Sequence, residues 1–216
     1  MDQIFSGLYI EEEKLAAFAA NSAKLLEAEG EGSAAAAAGE LRRHLDAVRR
    51  CRDAIASRYA EAESIPSACE WLLDNWYLAQ REAAAAYADL RRARRQRRGR
   101  QGLLMLSVCR TLLSSGQGWL DAGRCTAFLR GFQTVTPLRR RELLLFPAAM
   151  RAAILEAMAA VCETLPYAAD TAPQREAFEA LFSSLRRLAG ADMEELLRSV
   201  DLCDAEIGRA SCRERV

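Results

Sequence analysis

The chain has 216 residues, 51% of them hydrophobic and 28% charged, with 30 basic residues against 30 acidic ones. That composition excludes a disordered, collagen-like or disulfide-stapled chain. Formal neutrality excludes a whole-chain field built to attract nucleic acid or anionic lipid. Alanine makes up about a fifth of the residues, and the only lysines are Lys14 and Lys24, so the basic residues are almost all arginine. This bias is read as the imprint of GC-rich codons, and it loads the chain with strong helix formers.

The elements follow in order. Residues Glu11–Glu27 form a first helix, with Leu15, Phe18, Ala19, Ser22, Leu25 and Leu26 at helical spacing and three glutamates in the opening turn. Glu29-Gly-Glu-Gly-Ser33 is a flexible break. A long helix spans about Ala34–Ala62, carrying the stripe Leu41, Leu45, Val48, Cys51, Ile55 and Tyr59 and, at its surface, the single His44. Ser67 and Glu70 have capping-box spacing ahead of a further helix through Leu90, its stripe Cys69, Leu72, Leu73, Trp76, Gln80, Ala83, Tyr87 and Leu90. The basic run Arg91–Arg100 reads as a helix end and loop, followed by a helix over Gly102–Ser115 and another over Asp121–Thr134. Thr136-Pro137 is an expected helix start, and Pro147 divides a short helix ending at Leu145 from a longer one through Glu163. After a loop over Pro166–Pro173, Thr171 and Asp192 are expected to cap helices over Gln174–Ala189 and through about Asp204. Strand patterns are absent, so the expectation is an all-α, irregular bundle of eight or nine helices. Its segments are 1–63, 64–165 and 166–205.

Seven cysteines are scattered with no C-x-x-C pair, and only one histidine is present. A zinc site is therefore not expected, and the cysteines read as small core residues in a reducing compartment. No signal peptide is read in Met1–Ile10. The longest uncharged apolar runs, Gly102–Cys109 and Leu143–Met150, fall short of the roughly 18 residues of a membrane span. No nucleophile elbow, phosphate-binding loop, metal-binding acid pair or facing carboxylates is found, so no catalytic, cofactor-binding or metal residue is assigned.

Two groups of residues stand out. Seven arginines fall within Arg91–Arg100: Arg91, Arg92, Arg94, Arg95, Arg97, Arg98 and Arg100. They read first as a solvated helix end, and next as a contact for an anionic membrane surface or an acidic partner. The run lacks stacking aromatics, which argues against nucleic acid. Trp71, Asp74, Asn75, Trp76 and Tyr77 combine aromatic, acid and amide groups within two turns. They read as packing residues, or as a contact for glucan or a neighbouring domain.

Glu70-Trp-Leu-Leu-Asp-Asn-Trp-Tyr-Leu78 resembles the E-W-L-L-D-N block near the start of cyclic β-1,2-glucan synthases. About sixty residues on, Phe128-Leu-Arg-Gly-Phe-Gln133, Val135-Thr-Pro-Leu138, Glu142-Leu143 and Pro147 resemble the family's F-x-x-x-Y-Q-x-V-x-P-L-x-x-x-E-L-x-x-x-P block. The resemblance covers about half the chain, from Ile65 to Pro166. It implies the non-catalytic N-terminal helical region of a large enzyme on the cytoplasmic side of a bacterial inner membrane. In that family, membrane segments, a transferase domain using UDP-glucose and a divalent metal, and a phosphorylase-like domain follow. The partners it implies are those downstream domains. The alternative is a free-standing helical interaction protein whose Arg-rich segment meets an acidic partner or membrane. Finally, Glu206–Val216 reads as a translated sequencing adapter, because Ile-Gly-Arg-Ala back-translates to ATC-GGA-AGA-GCG. The natural chain is therefore expected to continue past this point. Without that tail the count is 27 basic against 28 acidic residues and six cysteines.

Overall fold

A computed structural model describes residues 9–26, 28–93, 95–99, 102–165 and 172–202. The expectations for the N-terminal eight residues, for most of the loop before Gln174 with Thr171, and for everything after Leu202 lie outside the described residues.

The described residues are overwhelmingly helical. In chain order they form α1 (Glu12–Leu25), β1 (Gly30–Gly32), α2 (Ala35–Arg58), α3 (Ser67–Arg92), β2 (Gln96–Gly99), β3 (Gly102–Leu103) and α4 (Leu104–Ser115). There follow α5 (Ala122–Gln133), α6 (Arg140–Leu143), α7 (Phe146–Thr164), α8 (Ala172–Gly190) and α9 (Met193–Val200). The fold class is all-α, with nine helices among the described residues.

Helix α7 lies at the centre and packs on α2, α3, α4 and α8. Its composition explains that position. Phe146, Met150, Ile154, Leu155, Met158 and Val161 are buried on several sides of the helix, and alanines fill the gaps between them. A helix that is apolar nearly all round is stable only when surrounded. Two charged side chains of α7 are met by neighbours. Arg151 Nε donates to Glu82 Oε2 on α3 at 2.7 Å, and Glu156 Oε2 accepts from Arg110 Nε on α4 at 2.7 Å. Pro147 occupies the opening turn of α7, where its missing N–H costs nothing. Around this axis α1 packs on α5, α2 on α3, and α9 on α5. One continuous apolar cluster runs from Leu15 to Val200. Cys51, Cys69, Cys109, Cys125 and Cys162 are buried in it, none of them in a disulfide.

Several local expectations are corrected. Strands do occur: β1, β2 and β3 form a small antiparallel sheet, with Glu31 opposite Arg97 and Gly99 opposite Gly102. The Gly-Glu-Gly break is thus an edge strand. The second half of the arginine run is also a strand, and Gly102 (φ +102°) belongs to the sheet instead of opening α4. Thr136 and Pro137 do not start a helix. Instead, α6 begins at Arg140, where the Glu142 carboxylate accepts the Arg139 N–H at 2.8 Å. Ser67 is the first residue of α3 and not its cap. Leu25 and Gln80, assigned to buried stripes, are exposed. The caps at Asp121 and Asp192 form as the pattern requires, accepting Arg124 N–H at 2.8 Å and Glu195 N–H at 2.9 Å.

Candidate functional site

Residues 71–77 sit in the first half of α3, and the helical turn distributes them. Trp71 and Asn75, four apart, point inward, whereas Asp74 and Tyr77 lie on the exposed side. Asn75 is buried: its Nδ2 donates to Trp71 O at 2.9 Å and its Oδ1 accepts from Arg186 Nη2 on α8 at 2.7 Å. Trp76 is half-buried, with the Arg52 guanidinium of α2 5.1 Å from its ring centroid. Asn75 and Trp76 thus pin α3 to α8 and α2. Asp74 and Tyr77, the latter 61% exposed, lie at the surface. The five residues do not line a common cleft.

The arginine run is divided as well. Arg91, Arg92, Arg95 and Arg98 are exposed, and Arg92 pairs with Asp89 at 2.7 Å. Arg94 and Arg100 lie outside the described residues. Arg97 turns toward α6. Its Nε donates to Glu142 Oε1 at 2.6 Å, and its Nη2 donates to Glu142 Oε2 at 2.5 Å and to Pro137 O at 2.7 Å. Beside this fork, Arg139 and Arg141 both donate to Glu31 Oε1. The sheet and α6 thereby gather three arginines around two carboxylates drawn from three separate stretches of chain. Burial pushes the Glu142 carboxyl up. The bidentate Arg97, the Arg139 N–H and their positive charges together outweigh it and hold the group below the usual carboxylate range. The Arg139 hydrogen bond, with help from Arg141, likewise holds Glu31 down.

The sequence named Arg97 in the basic run, and its partners Pro137 and Glu142 in the second block, without joining them, and it assigned no role to Arg139 or Arg141. Arg139, Arg140 and Arg141 are three consecutive arginines after Leu138, a signal that could have drawn attention to them. Glu31 carried no such signal. Chemically, the clusters amount to fasteners and a basic surface. Among the described residues no group of three or more His, Cys, Asp or Glu side chains is placed to hold a metal, and no helix is long and apolar enough to cross a membrane.

Comparisons with protein-family models, with curated proteins and with solved structures found no match.

Proposed function

We propose that this chain is the N-terminal helical region of a cyclic β-1,2-glucan synthase-like glycosyltransferase, and that it serves the enzyme as a non-catalytic scaffold. The observation that carries the reading is the use to which polar residues of the two sequence blocks are put. Asn75 of the first block joins α3 to α8. In the second block, Gln133 Nε2 donates to Val200 O at 2.8 Å, which ties α5 to α9. Glu142 ties α6 to the sheet through Arg97. All three side chains are buried, and all three fix helices or strands distant in sequence. A pattern of this kind specifies how helices pack, not how a sugar is transferred.

On this reading UDP-glucose and the divalent metal belong to the transferase domain downstream. The partners are that domain and the membrane segments of the same polypeptide, on the cytoplasmic side of the inner membrane. Glucan contact, where it occurs, falls to Asp74 and Tyr77. Reading the gene past the codon for Ala205 tests the proposal. An open frame continuing into membrane segments and a transferase domain is expected. A native stop codon there, with no transferase frame beyond it, overturns the reading.

A further inference from the structure

Two of the buried cysteines touch. Cys51 stands on α2 and Cys162 near the end of α7, helices that pack directly on each other. Their side chains share a hydrogen bond. Cys69, in the first turn of α3, lies close enough to Cys162 for its charge to be felt there. The two that touch are also the least enclosed. Cys51 and Cys162 are 6% and 5% exposed, against 3% for Cys69 and Cys125 and 0% for Cys109.

The two thiols are unequal. The hydrogen bond from Cys162 outweighs burial and holds Cys51 below the ordinary thiol range. The same bond, followed by burial, pushes Cys162 up. Cys51 is thus the thiol that more readily becomes a thiolate, the nucleophilic form, and Cys162 keeps its proton beside it. Cys109 and Cys125 lack this arrangement, and burial pushes both up. A single buried cysteine is an inert core residue. A more acidic thiol beside a second thiol on another helix is the pairing found where cysteines respond to oxidants.

We propose that Cys51 and Cys162 are a peroxide-reactive pair that closes reversibly into a disulfide and staples α2 to the central helix α7. The Cys51 thiolate attacks one oxygen of hydrogen peroxide. The O–O bond breaks, Cys51 becomes a sulfenic acid, and the departing hydroxide takes up the proton that Cys51 released. The Cys162 sulfur then attacks the sulfenic sulfur. An S–S bond forms, and the hydroxyl leaves with the Cys162 proton as a second water. Each sulfur gives up one electron and the peroxide takes both. A dithiol reductant reverses the step by exchange, and in a reducing compartment such a bond is transient. This goes beyond the scaffold role and does not depend on it.

The test exposes the reduced 216-residue chain to hydrogen peroxide, in buffer and in urea, and alkylates it before peptide mapping. In buffer the expected product is a Cys51–Cys162 cross-linked peptide that dithiothreitol removes, with Cys109 and Cys125 still reduced. In urea the yield of that pair should fall several-fold, because the unfolded chain no longer holds the two sulfurs together. Cys162→Ser should leave a dimedone-reactive sulfenic acid on Cys51, and Cys51→Ser should leave Cys162 unoxidised. Circular dichroism verifies that both variants fold, and the map of the parent chain needs neither. Recovery of Cys51 and Cys162 as free thiols from the folded chain overturns the proposal. So does either sulfur joined mainly to another cysteine, an equal yield in urea, or a sulfenic acid on Cys162 in place of Cys51.

Discussion

Glu142 is 1% exposed, yet its environment favours the charged form. Two Arg97 donors and one backbone N–H account for this, since a buried carboxylate is tolerated only when its oxygens are occupied. Replacing it with glutamine leaves Arg97 facing a neutral amide. We expect Glu142→Gln to cost about 3 kcal/mol in urea unfolding near neutral pH. The pH dependence has a definite sign. A carboxyl held lower in the folded than in the unfolded state adds stability above its unfolded pKa, and that stability is lost as pH falls through the folded value. Between about pH 5 and pH 3 the parent protein should therefore lose more stability than the glutamine variant. Equal acid profiles for the two would remove Glu142 as the source. Arg97 was visible in the sequence only as one arginine among seven. Its partner lies 45 positions away, and local spacing carries no record of such a pair.

At the scale of elements, α1 and α5 show how one small side chain sets a helix contact. A Cβ on Gly131 would come within 2.4 Å of Ala16 O and 2.6 Å of Ala16 Cα, both backbone atoms that cannot swing aside. Gly131→Ala should push α1 off α5 and lower stability by about 2 kcal/mol in thermal or urea unfolding, despite alanine's better helix propensity. A more stable variant would mean that α1 is loosely held. The helices themselves were legible because each repeats its buried residues at helical spacing and most end at a glycine, a proline or a capping acid. The sheet was not. Gly-Glu-Gly and Gln-Arg-Arg-Gly have no apolar alternation, and their pairing joins residues some 65 positions apart. The Thr136-Pro137 start signal was overridden because Leu138 is buried and Pro137 O is taken by Arg97. The Trp71–Tyr77 group was conspicuous as composition. The helical turn that separates its members is the same turn that made the helix readable.

For the whole molecule, the consequence of an apolar cluster reaching from Leu15 to Val200 is cooperative unfolding. Trp71 and Trp76 on α3 and Trp119 before α5 report different regions. Their fluorescence and the far-ultraviolet circular dichroism should trace one coincident urea transition. Two separated transitions would show that the helices form independent units. Such cooperativity is expected of helices that share α7 as a common wall, since loss of α7 would expose its neighbours together.

The buried thiols give that wall a timekeeper. Cys51, Cys69, Cys109, Cys125 and Cys162 fall on α2, α3, α4, α5 and α7, one to each helix. The thiolate is the form that reacts, and burial pushes Cys109 up and Cys125 up to about 12. A small alkylating reagent therefore gains Cys109 and Cys125 only when the surrounding helices open, whereas the Cys162 hydrogen bond holds the Cys51 thiol below the usual range. The order in which Cys109 and Cys125 become labelled is a chronology of whether α4 or α5 loosens first, written by the protein's own side chains.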